Sequence, residues 1–210
     1  MEELKTIEQF FNTSAKEYGA TLDALNWGSK RTQELRFHIL SEIAPLEGKS
    51  ILDVGCGFGD FFYFLQEKLH YNINYTGVDI SSEIVKEARE KYPTLNIKHL
   101  NILEETIEAH DYVFGSGIHN LKLDDNYGFF SLMLEKMYAL AKEAVGTNFI
   151  YAQEGYKFDE HIFAYELEKI LPIVQKITPY SLFRSDYLPH DMTLFLYKKD
   201  WATRHGYNEA

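Results

Sequence analysis

The chain has 210 residues, 45% hydrophobic and 25% charged, which suits a single soluble domain large enough to bury a sizeable core. Its 21 lysines and arginines stand against 32 aspartates and glutamates, a net charge of −11 with no basic cluster, so a face that grips nucleic-acid phosphates is not expected. The single cysteine, Cys56, excludes an internal disulfide and a cysteine-built zinc site.

The opening residues, MEELKTIEQFF, lack a basic stretch leading into an apolar one, and no long apolar run follows anywhere. A cytoplasmic protein without a membrane segment is expected. Helical periodicity predicts two early helices, over 6–18 and 31–43, the second with Leu35, Ile39, Leu40 and Ile43 on one face. Pro45 and Gly48 then punctuate the entry to a first strand near 50–55.

That strand runs into the most informative stretch of the chain, Ile51 to Asp60, ILDVGCGFGD. Two apolar residues lead to Asp53, and glycines then fall at alternate positions, Gly55, Gly57 and Gly59. A helix over 60–69 follows. Glycine is required where φ is positive or where a ligand lies too close to the backbone for a Cβ, so the turn is built for a ligand to lie across it. Cys56 within it is expected to pack, a small residue being needed there. A dinucleotide fingerprint would space its glycines as G-x-G-x-x-G; here the third arrives one residue early.

Strand and helix continue to alternate: strand 74–79, helix 82–91, strand 97–101, a short helix or turn near 104–108, strand 111–116, a long helix over 127–145, strand 147–152 and helix 160–171. The last two strand-like runs, 180–184 and 192–197, have no helix between them. Alternating units imply a parallel sheet wound by right-handed crossovers. The final pair must be antiparallel, because a parallel crossover needs a dozen or more residues. The expected fold is therefore α/β: a seven-stranded, mostly parallel, doubly wound sheet with a C-terminal antiparallel hairpin, plus N-terminal helices.

The string Asp53-Val54-Gly55-Cys56-Gly57-Phe58-Gly59 resembles motif I of the class I S-adenosylmethionine-dependent methyltransferases. Tyr75 to Ile80, ending in Asp79, is similar to that family's second motif, and Asp111 to Gly117 to its fourth. The resemblance runs from about residue 49 to 199. It implies an S-adenosylmethionine cofactor held by Asp53, Gly55 and Gly57, with Asp79 and Ile80 at the ribose. An acidic residue ends the third strand in the family and receives the adenine amino group; Asn101 stands there, and its amide oxygen also accepts. Ile102 would cover the ring, and Ser116 opens the loop where acceptor meets methyl group. The implied division is an N-terminal helical cap (1–48), a methyltransferase domain (49–200) and a C-terminal tail (201–210).

Transfer from a sulfonium needs mainly positioning, and a base only where the acceptor holds a tight proton. His119, just past the fourth strand, is the expected base, at the carboxyl edge where such sheets bind ligands. His190 and Asp191, between the last two strands, are placed to overhang the same pocket. In the early helical region Tyr18, Trp27 and Arg36 are expected to close the site, the Arg36 fork matching the methionine carboxylate. No metal is expected, since Gly115-Ser116 ends the fourth strand where a metal site would need a carboxylate, and Asp124-Asp125-Asn126 reads as a helix cap. The D/N-P-P-Y/F motif of amino-group methylases is absent. A small-molecule acceptor is the leading expectation, at O, N, S or C. A protein acceptor and a non-catalytic nucleoside-binding regulatory module are the alternatives.

Overall fold

The computed structural model describes residues 2–153 and 155–207. Seven strands form one sheet: β1 (Ser50–Val54), β2 (Asn74–Asp79), β3 (Ile97–His99), β4 (His110–Ser116), β5 (Ala141–Ile150), β6 (Ser181–Arg184) and β7 (Asp191–Tyr197). Their spatial order is β3-β2-β1-β4-β5-β7-β6. All neighbours pair parallel except β7, which lies antiparallel between β5 and β6. The expected mostly parallel sheet with a closing hairpin is borne out.

Strand alternation builds two layers. Leu52, Val113, Val145 and Leu194 face one side, against Phe130, Leu134 and Met137 of α5 (Asn126–Leu140) and Ile170 and Val174 of α6 (Leu167–Ile177). Ile51, Phe114 and Phe195 face the other, against Phe37 and Leu40 of α2 (Lys30–Ser41) and Phe61 of α3 (Asp60–Tyr63). Period-2 alternation in strands and 3.6-residue periodicity in helices bring these faces together. A third cluster sets Ile84, Val85 and Ala88 of α4 (Ser82–Lys91) against Phe58, Ile97 and Ala15 of α1 (Glu2–Tyr18). A short α7 (Trp201–Arg204), capped by the Asp200 side chain, follows β7 inside the expected tail. No helix among the described residues is long and apolar enough to cross a membrane.

Two boundaries differ from expectation. The helix read over 127–145 ends at Leu140, and β5 begins at Ala141 with no intervening loop, so the strand read as 147–152 is Ala141–Ile150. Residues 141–144, Ala-Lys-Glu-Ala, are good helix formers, but pairing with β4, from His110 opposite Ala141 to Phe114 opposite Gly146, overrides propensity. The helix read over 160–171 is Leu167–Ile177 instead. Tyr165 cannot join it, because its side chain is fully buried and its N–H donates to Ile150 O at 2.9 Å. Pro172 lies inside the helix, where the buried Ile170 and Val174 hold it to the sheet. Smaller shifts concern α3, which continues as a π-helical turn over Phe64–Lys68, and β3, which ends at His99. A turn at Asn101, whose carbonyl accepts from Glu104 and Glu105, stands where a helix or turn was read at 104–108.

Candidate active site

All six parallel strands end at one edge of the sheet, and β1 and β4 lie side by side at its centre with their crossovers running in opposite directions. Such an arrangement leaves a crevice outside the carboxyl ends. A cavity of about 570 Å³ occupies it here.

Its floor is the glycine turn. Gly55, Gly57 and Gly59 all adopt left-handed φ values, of 65°, 56° and 80°. The turn is pinned to β2: the Gly55 and Cys56 amides both donate to Val78 O, at 2.8 and 3.0 Å, and the Gly57 amide donates to Asp79 Oδ2 at 3.0 Å. A Cβ on Gly57 would sit 2.9 Å from Leu25 Cδ1. Backbone conformation and space both call for glycine.

Two buried carboxylates flank the turn. Asp79 also accepts from the Ser81 amide at 2.9 Å; burial raises its pKa, and these backbone hydrogen bonds oppose the rise. Asp53 accepts from the Tyr75 hydroxyl at 2.7 Å. Burial pushes its pKa up to about 7; the Tyr75 bond opposes this, while the charges of Asp79 and Asp60 add to it. At neutral pH Asp53 therefore exchanges its proton readily, and a cation placed beside it favours the ionised form.

Every residue expected from the sequence to hold a cofactor lines this cavity: Arg36, Asp53, Gly55, Gly57, Asp79, Ile80, Asn101, Ile102 and Ser116. Several carry additional structural duties. The Asn101 amide oxygen accepts from the Leu103 amide at 3.0 Å, and Ser116 Oγ accepts from Asn148 Nδ2 at 3.0 Å. Arg36 directs its Nε and Nη2 to the two oxygens of Asp191, each at 2.7 Å. Trp27 lies over the same guanidinium, 5.0 Å from ring centroid to Cζ, and against Gly117, where an added Cβ would sit 3.4 Å from the indole. Tyr18, expected to help close the site, is 47% exposed and does not line the cavity.

His119 is a correction. Its neighbours Ile118 and Asn120 line the cavity, but its ring does not. Gly117, at φ 77°, turns the chain so that His119 points the opposite way, 1% exposed and 4.5 Å from the Phe130 ring. Neither ring nitrogen has a hydrogen-bond partner among the described residues, and burial lowers the pKa to about 3. A general base must reach the proton it takes, and this ring faces the core.

The placement predicts a stability change. His119→Phe removes two unpartnered polar atoms from an apolar site, each costing about 1–3 kcal/mol when buried unpaired. The variant should melt above the parent and bind cofactor unchanged. The folded-state pKa lies below the ordinary 6.5, so below that pH the unfolded chain takes up a proton that the folded chain refuses. This stability is fully present above pH 6.5 and is lost towards pH 3, by at most about 1.4 kcal/mol per pH unit. The parent's deficit against the variant should therefore widen on acidification; equal urea midpoints at pH 7 and pH 5 would refute the assignment.

The early helical region does cover the cavity as expected, but largely through residues that the sequence does not single out. Leu4, Ile7 and Phe11 of α1 lie over the cavity, and α1 is latched by Asn12, whose Oδ1 accepts from Ser81 Oγ at 2.7 Å and from the Glu83 amide at 3.2 Å. Tyr156 and Phe158, in the segment after β5, close another side. Nothing about these residues in isolation marks them; only an amphipathic first helix, left without a strand to pack on, gave a signal.

Comparison with known proteins agrees with this geometry. The family described as "Methyltransferase domain" matches residues 45–161, and the chain belongs to it. No curated protein matches the chain at the level of sequence. Magnesium protoporphyrin IX methyltransferase (ChlM) from Synechocystis PCC 6803 with bound SAM superposes with a TM-score of 0.68 at 15% identity, covering 95% of this chain and 98% of that one. A DhpI–SAH complex gives 0.62 at 14% identity, covering 92% and 95%. Human N-acetylserotonin methyltransferase (ASMT) in complex with SAM gives 0.59 at 12%, covering 78% of this chain and 51% of that one.

Proposed function

We propose that this methyltransferase carries a methyl group from S-adenosylmethionine to a small-molecule acceptor. S-adenosylmethionine is the donor, and it supplies an activated methyl group on a sulfonium; the chain's residues hold it, orient the acceptor and exclude water. In this reading the nucleoside lies against Asp79, Ile80, Asn101 and Ile102, and the methionine part runs over Gly55 and Gly57 between Asp53 and Arg36. Residues 1–48 cap the 49–200 unit, leaving 201–210 as a tail.

The observation that carries the small-molecule reading is the cavity itself. At about 570 Å³ it lies within the roughly 300–1,000 Å³ range of small-ligand sites. Residues of α1, Trp27 and the segment around Tyr156 line it opposite the sheet edge, so the acceptor meets a deep, partly covered pocket rather than a flat face. Methyl-labelled donor incubated with a cell extract and this protein should place label in the small-molecule fraction. Label confined to protein would favour a protein acceptor, to which the −11 charge would present an attractive surface for basic segments.

Asp79 tests the donor site directly. Asp79→Ala should weaken S-adenosylhomocysteine binding by about 1.5–3 kcal/mol for each ribose hydrogen bond lost to the carboxylate. Equal affinity of variant and parent by calorimetry would remove Asp79 from the ribose.

A further inference from the structure

Aromatic rings from three separate stretches also line the cavity: Phe10 on α1, Trp27 ahead of α2, and Tyr156 and Phe158 after β5. Among them lies His190, the one histidine lining the cavity among the described residues. Topology puts it there. Because β7 runs against its neighbours, its first residue meets their carboxyl ends: Asp191 is opposite Ile150, the last residue of β5.

The backbone around His190 is fixed on both sides. Its carbonyl accepts from the Tyr151 amide at 3.1 Å, and the next residue, Asp191, is gripped by Arg36. The ring packs 4.6 Å from Tyr156 at a 36° tilt and 5.5 Å from Phe158, nearly edge-on at 78°. Its Nδ1 is buried with no hydrogen-bond partner among the described residues. Polar atoms buried in this way are ordinarily paired within the protein. The imidazole is held by rings and backbone, and with Nδ1 enclosed, Nε2, which makes no hydrogen bond among the described residues, is the nitrogen left to meet a molecule in the cavity.

We propose that His190 is the general base of this enzyme and that the acceptor is a planar phenolic compound, seated among Trp27, Tyr156 and Phe158 with its hydroxyl towards the imidazole. The proposal rests on the methyltransferase reading above. Aromatic walls favour offset and edge-on contacts with a flat ring, whereas a strongly polar aliphatic acceptor would lose its water without replacement there. A phenolic hydroxyl has a pKa of about 10, so at neutral pH its proton must be taken as the bond forms.

In the transfer, a lone pair on the phenolic oxygen forms the bond to the methyl carbon. The carbon–sulfur bond breaks with its electron pair going to sulfur, which becomes a neutral thioether. The hydroxyl proton passes to the imidazole, so the positive charge lost at sulfur appears on His190 and leaves with the proton to solvent. The ionisable groups around the ring are Tyr156 stacked on it and the Asp191–Arg36 pair, whose charges offset each other. Lys157 and Asp159 line the same cavity, and the Tyr151 hydroxyl is turned away to Pro189 O.

The test uses the full chain, methyl-labelled S-adenosylmethionine and 2-naphthol among a set of flat bicyclic phenols, with cyclohexanol as the saturated counterpart. Label should pass to a phenol and not to cyclohexanol. His190→Gln should slow the transfer by about 10²–10⁴-fold and leave S-adenosylhomocysteine affinity within twofold. His190→Phe, which keeps the ring packing without a nitrogen, should be equally slow. Transfer at the parental rate by either variant overturns the base role. A parent that binds S-adenosylhomocysteine but labels none of the phenols overturns the acceptor class. A parent that fails to bind S-adenosylhomocysteine overturns the donor reading and this proposal with it.

Discussion

Asp191→Asn is expected to lower the free energy of unfolding by about 3–5 kcal/mol, the cost of leaving one partner of a buried ion pair uncompensated. Asp191 is 1% exposed and Arg36 8%, and the pair is bidentate with both contacts at 2.7 Å. The loss measures the stranded guanidinium rather than the net worth of the pair. Replacing both partners with apolar residues, Arg36→Met with Asp191→Leu, should therefore recover most of the stability. Urea unfolding of Arg36→Met, Asp191→Leu and the double closes the cycle; additive losses would show that the pair is not coupled as drawn.

Gly57→Val should reduce S-adenosylhomocysteine affinity at least about 100-fold, or 2.7 kcal/mol. A β-branched residue at φ 56° is strained by about 1–2 kcal/mol, and its Cβ would meet Leu25 at 2.9 Å. The Leu25 side chain can yield, so the sheet should persist by circular dichroism. The Gly57 amide, however, donates to Asp79, and any shift of the turn moves that carboxylate as well. Retained affinity in a folded variant would mean that the ligand does not lie on this turn.

What the sequence discloses follows from the range of each determinant. The glycine turn is local: its alternate left-handed residues and the strand before it lie within ten positions, so ILDVGCGFGD could be read directly. Asp79 is legible for the same reason, as a carboxylate ending an apolar strand. The residues expected to hold the cofactor all line the one cavity. Ala141 to Ala144 mislead because their helix propensity is weaker than the pairing that β4 imposes, and β4 is thirty residues earlier. His119 misleads for a geometric reason. Position in a loop can be inferred from strand order, but the direction of a side chain depends on loop dihedrals that residue types alone do not disclose. His190 is legible from its place between the last two strands: an antiparallel β7 starts at the carboxyl edge, and the residue before it lines the cavity.

The Arg36–Asp191 contact joins residues 155 positions apart, and this has a consequence for how the enzyme comes into being. During synthesis the glycine turn and Asp79 emerge early, but the wall carrying His190 and the clamp on Arg36 exist only after β7 has inserted between β5 and β6. Contacts this distant in sequence form late, because the long intervening loop must close first. A ribosome-bound chain stopped before Asp191 would carry the fingerprint without the pocket. Closure of the pocket thus waits on the last strand of the sheet.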